Sequence, residues 1–185
     1  MAGRFDIVIS PIGHMEPDLV ETVCQEVRQM FHLDTVVVPL MADVEYAFDR
    51  ERNQYHSTRI LAQLAELAPA CAVKVLALTR VDLFIPILTF VYGEAQLGGT
   101  ASIVSTSRLK DNLPTLRLRE CFFERTAKEA VHELAHTFNL RHCKDETCIM
   151  HYCRNIRDVD RKQNLLCRYC RTLLEDEFRR LRIPI

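Results

Sequence analysis

HELAHTFNLRHCKDETCIMHYC, residues 132–153, puts four histidines and three cysteines into twenty-two residues. Its first part continues a helical pattern running from about Thr126 to Phe138. Ala127, Ala130, Val131, Leu134 and Ala135 supply an apolar face there, and no glycine or proline interrupts it. On a helix, His132 and His136 project from one face a turn apart, where two nitrogens can reach one ion at ~2.0–2.1 Å. Glu133 sits about 100° around the helix, too offset for a natural third ligand. It is placed to reach a metal-polarised water from the side, the geometry of a general base. Two surface histidines on an ordinary helix are the bland alternative.

His142 follows His136 by six residues. To join the same ion, it needs the helix to stop and the chain to double back. A residue near 139 must then accept a left-handed backbone. Glycine is the usual choice, and Asn139 is among the next most tolerant residues.

HELAHTFNLRH resembles the metzincin signature of zinc peptidases, HExxHxxGxxH, with Asn139 in the glycine position. Cys148-Ile149-Met150-His151-Tyr152 is similar to the methionine turn of that group. Cys143 directly after the third histidine, then Cys148, Met150 and Cys167-x-x-Cys170, resembles the archaemetzincins. The upstream stretch TRVDLFIPILTFVYGEAQLGGTASIVSTSRL (79–109) is similar to the same family, so the resemblance spans roughly residues 75–175.

The resemblance implies His132, His136 and His142 as ligands of a catalytic zinc, Glu133 as the base, and Met150 as the floor of the site. It implies a metallopeptidase that hydrolyses peptide bonds in a peptide or protein substrate. Some metzincins place a tyrosine where Tyr152 lies, in contact with zinc or the oxyanion; a packed tyrosine with its hydroxyl bonded is the alternative. His151 reads as a turn or surface histidine. Metzincins also pair an edge strand with extended substrate. That likeness and a β-branched run single out Ala101–Thr106, with Ala101, Ser102, Ile103 and Val104 as substrate-binding residues. A buried core strand competes for that segment.

Eight cysteines need a second explanation. Cys24, Cys71 and Cys121 are scattered and read as small core hydrophobes. The other five crowd into residues 143–170. Cys143-x4-Cys148 and Cys167-x2-Cys170 form two knuckles, and four thiolates make a closed tetrahedral zinc site with no place for water. The archaemetzincin resemblance points to the same four. A Cys148/Cys153 pair is conceivable from the spacing. The pair 143/148 is preferred because Met150 must turn under the first ion, which leaves Cys153 as a free thiol. Two zinc ions per chain are therefore expected, one catalytic and one structural.

The rest of the chain reads as α/β. Strands are expected at 5–10, 34–40 and 72–79, and helices from Pro17 to Leu33 and over 58–68. Two β-rich runs around Gly98-Gly99 suggest a strand pair; without the lysine and third glycine this is no phosphate loop. The alternation predicts a compact metzincin-like fold with a mixed, twisted sheet, an active-site helix and a small zinc-stapled C-terminal lobe. The division expected is an N-terminal subdomain over 1–139, its helix at about 119–139, and a C-terminal subdomain over 140–185. The latter is polar until Leu173–Leu181, so a metal stands in for a core.

Lys and Arg number 24 against 25 Asp and Glu, which gives no global field for nucleic acid. Residues 154–182 are mildly basic, with nine cations against five anions, and read as a solvated surface. No signal peptide is expected from MAGRFDIVIS, and Lys74, Arg80 and Asp82 break the most apolar stretch, so a membrane span is not expected. A cytoplasmic protein is the expectation; oligomeric state is left open. The rival to a peptidase is a zinc-binding protein with little or no such activity.

Overall fold

The structure, a computed structural model, describes residues 6–183. Phe5, included in the first expected strand, lies outside the described residues. The chain opens with β1 (Asp6–Pro11), α1 (Pro17–Phe31) and β2 (Asp34–Val37), then β3 (Phe48–Asp49), β4 (Gln54–His56) and α2 (Ser57–Leu67). β5 (Ala72–Thr79), β6 (Leu83–Phe84), β7 (Gly93–Ala95) and β8 (Ala101–Ser105) follow, and α3 (Leu118–Thr137), α4 (Ile156–Arg161) and α5 (Arg168–Leu181) complete it.

The main sheet has the order β2-β1-β5-β8-β7. Its first four strands are parallel, and β7 runs antiparallel to β8. This is the mixed α/β layer expected from the alternation of elements. Period-two alternation sends each strand's side chains to opposite faces. Ile7, Ile9, Leu76, Leu78 and Val104 join Val23, Val27 and Phe31 of α1 and Leu134 of α3 in one core. Val8, Val75, Ala77, Ala101 and Ile103 form a second core with Ile60, Leu61 and Leu64 of α2. Helices on both faces keep β1, β5 and β8 largely dry, while β2 at one edge stays mostly exposed.

A smaller sheet, β3-β4-β6, was not expected. Its strands have two or three residues each, too short for any periodicity to register. The segment after α3 lies against the α1–α3 face. Leu174 and Phe178 of α5 enter that core, and the Phe138 ring stands 5.1 Å from both Phe31 and Phe178.

One expectation is corrected here. Ala101, Ser102, Ile103 and Val104 do not form an edge strand: β8 lies between β5 and β7, and all five of its residues are buried. Its backbone is already paired on both sides, so no groups remain for a substrate. The run of β-branched residues reflects a core strand. The edge beside β8 belongs to β7, and β2 forms the opposite one.

Candidate active site and metal centres

α3 carries His132 and His136 one turn apart, with their Nε2 atoms 3.1 Å from each other. The helix ends where a left-handed residue was required. Asn139 has φ 64°, its N–H donates to the His136 carbonyl at 2.9 Å, and the Leu140 N–H donates to the Ala135 carbonyl at 3.1 Å. Those two bonds define a Schellman stop, which satisfies helix carbonyls and turns the chain back. The reversal brings His142 to the pair, its ring 5.4 Å from that of His132 and 4.8 Å from that of His136. A ligand nitrogen from each of the three lies within 4.8 Å of the others.

The two helix imidazoles are held from behind. His132 Nδ1 bonds the Ile149 carbonyl at 2.8 Å, and His136 Nδ1 bonds the Leu140 carbonyl at 2.7 Å. Each Nδ1 is therefore the protonated nitrogen, which leaves the Nε2 lone pairs converging on one point. Burial lowers the pKa of all three, to about 4 for His136. Neutral imidazoles gathered this closely fit a cation and suit no anion.

Met150 is fully buried, and its carbonyl accepts the Cys143 N–H at 2.8 Å. The turn therefore joins the third histidine's neighbour to the residue beside Ile149, whose carbonyl orients His132. Tyr152 is 41% exposed, with its ring 5.0 Å from that of His142. His151 Nδ1 bonds the Cys143 carbonyl at 3.2 Å, consistent with a turn residue.

Cys143, Cys148, Cys167 and Cys170 bring their sulfurs within 4.8 Å of one another. The Cys143 and Cys167 sulfurs are 3.8 Å apart, and the Cys167 N–H donates to Cys148 Sγ at 3.4 Å. All eight cysteines are free, so the four sulfurs meet as thiols. A soft, closed donor set of this kind fits zinc. Cys153 stands outside it in the wall of the other site, where burial pushes its thiol up to about 12.

Glu133 is buried, and burial together with Glu129 raises its pKa well above the usual carboxylate value. It faces β7. A Cβ on Gly93 would lie 2.6 Å from Glu133 Cγ and 2.6 Å from the Ile103 carbonyl, so only glycine fits there. Along β7, Ser105 N–H bonds the Tyr92 carbonyl at 2.8 Å and Gln96 N–H bonds the Ala101 carbonyl at 3.0 Å. By antiparallel alternation, Gly93 and Ala95 turn their peptide groups away from β8, along the open edge. That edge and the three histidines border one cleft of 620 Å³.

Several supports of the site escaped the sequence reading. Lys162 Nζ meets Glu129 Oε1 at 2.7 Å, with both side chains buried. Lys74 of β5 donates to the Thr137 carbonyl at 2.7 Å and the Gly99 carbonyl at 2.6 Å, a cation at the C-terminal end of α3. Arg125 grips Asp160 through two bonds of 2.7 and 2.8 Å, tying α3 to α4. A hint was present: Arg125, Lys128 and Glu129 lie in the run leading to the histidines, and a helix that buries charges must pair them.

The model of Peptidase family M54 matches residues 18–176. The chain belongs to that family. Curated relatives named archaemetzincin include one from Methanopyrus kandleri, 39% identical over 136 residues and covering 74% of each chain. Another, from Methanocaldococcus jannaschii, is 31% identical over 171 residues, covering 92% of this chain and 93% of its own. The crystal structure of the Methanopyrus kandleri archaemetzincin superposes with a TM-score of 0.84 at 31% identity, covering 96% of this chain and 97% of that one. The Archaeoglobus fulgidus archaemetzincin, crystallised with malonate, gives 0.78 at 33% identity, covering 91% and 99%. As an archaemetzincin, the chain is a zinc metallopeptidase, and the scaffold reading is not favoured. No described helix is long and apolar enough to cross a membrane.

Proposed function

We propose that His132, His136 and His142 hold the catalytic zinc, that Cys143, Cys148, Cys167 and Cys170 hold a structural one, and that Glu133 is the general base of peptide hydrolysis. The observation that carries this is the convergence of three neutral imidazoles, with two Nδ1 atoms committed to carbonyls. When bound, zinc supplies Lewis acidity that polarises water and the scissile carbonyl.

The chain's own residues do the rest. Gly93 and Ala95 offer their outward peptide groups to an extended substrate backbone, adding a strand to the sheet. Glu133, one residue from His132 and pressed against Gly93, takes a proton from the attacking water and delivers it to the leaving amine. A nearby dication favours the ionised carboxylate, countering the burial that raises its pKa. Tyr152, in the cleft wall on the His142 ring, donates its hydroxyl to the oxygen that gains charge. Asn139 sets the turn, and Met150 stiffens the loop beneath.

The division at residues 139/140 separates the strand layer from a lobe whose fold depends on thiolate zinc. Free thiols throughout support a cytoplasmic setting. Against nucleic acid as a partner, the cations of residues 154–182 include Arg161, Lys162, Arg179 and Arg180, which are engaged in ion pairs.

Zinc counting by native mass spectrometry tests the assignment. Two ions are expected for the unaltered protein, and one each for His142→Ala and Cys167→Ser. Two ions on Cys167→Ser would remove the structural site. Glu133→Ala should keep both ions and lose peptide cleavage; cleavage equal to the parent's would exclude it as the base.

A further inference from the structure

The cleft carries two guanidinium groups that the hydrolytic reading leaves unused. Arg141 immediately precedes His142, and Arg154 follows Cys153; both line the cleft with His142 and Tyr152. Both are exposed, and neither side chain has an acidic partner among the described residues. Arginines that brace the fold are matched: Arg108 is clamped on Asp82 by two bonds of 2.7 Å, Arg125 on Asp160, and Arg119 on Glu16 and Asp18.

Two of the three acids that border the same cleft are already occupied, and the third, Glu133, is buried. Glu94 accepts from the hydroxyls of Ser57 and Thr58, and Glu129 is paired with Lys162. Arg154 also springs from a fixed base. Its N–H donates to Asp158 Oδ2 at 2.9 Å, and the next residue, Asn155, caps α4 by accepting the Arg157 N–H at 2.9 Å. The histidine-side rim thus presents unsatisfied positive charge beside the metal-ligand cluster, opposite an edge strand built to take peptide backbone.

We propose that Arg141 and Arg154 select substrates bearing a carboxylate close to the scissile bond. This rests on the cleft's being the peptide-binding site, as proposed above. Guanidinium recognises a carboxylate through paired, charge-assisted hydrogen bonds, and an unpaired arginine has such a bond to gain from the substrate. Two partly solvated contacts give a preference of about tenfold over an isosteric amide, shrinking with added salt. The carboxylate has two sources: an Asp or Glu side chain flanking the cleaved bond, or the substrate's own C-terminus.

The test measures binding apart from turnover. Zinc-loaded Glu133→Ala protein is titrated with fluorescent peptides identical except for Glu against Gln beside the cleaved bond, and with each as a free acid or C-terminal amide. A roughly tenfold tighter Glu peptide, whatever its terminus, assigns the preference to a side chain. A free-acid advantage indifferent to Glu or Gln assigns it to the terminus. In either case Arg141→Gln with Arg154→Gln should flatten the difference, and Arg154→Glu should reverse its sign. Equal binding of all four peptides, or a preference that survives the double variant, overturns the proposal. If the unaltered protein cleaves none of these peptides while Glu133→Ala still discriminates, the hydrolytic assignment fails and the charge selection stands.

Discussion

Lys162 and Glu129 face each other at 2.7 Å with side chains only 0% and 4% exposed, Glu129 lying in the wall of the cleft. Glu129 lies four residues before Glu133, and Lys162 lies five before Cys167. The pair thus joins the helix that bears Glu133 to the loop that leads to Cys167 and Cys170. Removing one member of a buried pair leaves a charge without water or partner. Lys162→Met should therefore cost about 3–5 kcal/mol in chemical denaturation, whereas Lys162→Met with Glu129→Leu should recover most of it. If the double variant is no more stable than the single, the pair is not what couples the two segments.

Gly93 has no room for a methyl group. Gly93→Ala should push Glu133 from its position and strain β8 at the Ile103 carbonyl, costing about 1–3 kcal/mol of stability. Catalysis should suffer more than folding, because about 1 Å of misplacement at a reacting group costs of order a hundredfold in rate. Steady-state kinetics beside a thermal melt separates the two effects. A kcat near the parent's would mean that Glu133 is not held by this strand.

At Asn139 the backbone, not the side chain, is what the turn demands. Asn139→Gly should keep stability or raise it slightly, since glycine adopts φ 64° without a Cβ penalty. Asn139→Ala should cost about 1–2 kcal/mol and loosen zinc on His142, because a left-handed alanine is strained. Denaturation and competitive chelation read the two quantities. Equal behaviour of both variants would show that the Asn139 side chain matters more than its φ.

The metal-free protein should weaken on mild acidification. His132, His136 and His142 have folded pKa values below 6.5, about 4 for His136, because burial disfavours the imidazolium. Between those values the unfolded chain binds protons that the folded chain refuses. Stability is therefore full above about pH 6.5 and falls as the pH drops toward 4. Chelator-treated protein followed by circular dichroism should show that slope, and His136→Phe should flatten part of it. A metal-free protein of constant stability across this window would mean that the imidazoles are solvated.

Where the sequence was legible, one periodicity ran long enough to be read. Ala72–Thr79 is a buried strand because eight consecutive residues tolerate both faces of a sheet. His132, Glu133 and His136 share a helix because nothing in that run breaks one. β3, β4 and β6 were invisible because two or three residues carry no period. Ala101–Val104 misled for a different reason: β-branched residues suit any strand, and edge or centre depends on which neighbours arrive from elsewhere.

Local spacing by itself determined the ligand types, the helix and its left-handed stop, since these involve neighbours within about two turns of backbone. The family likeness, too, was carried by those residues. Tertiary structure alone decided which strand borders the cleft, why residue 93 is glycine, which buried charges are paired and which two arginines line the cleft. Each of those depends on groups tens of residues apart in sequence, and their meeting depends on the packing of the whole sheet.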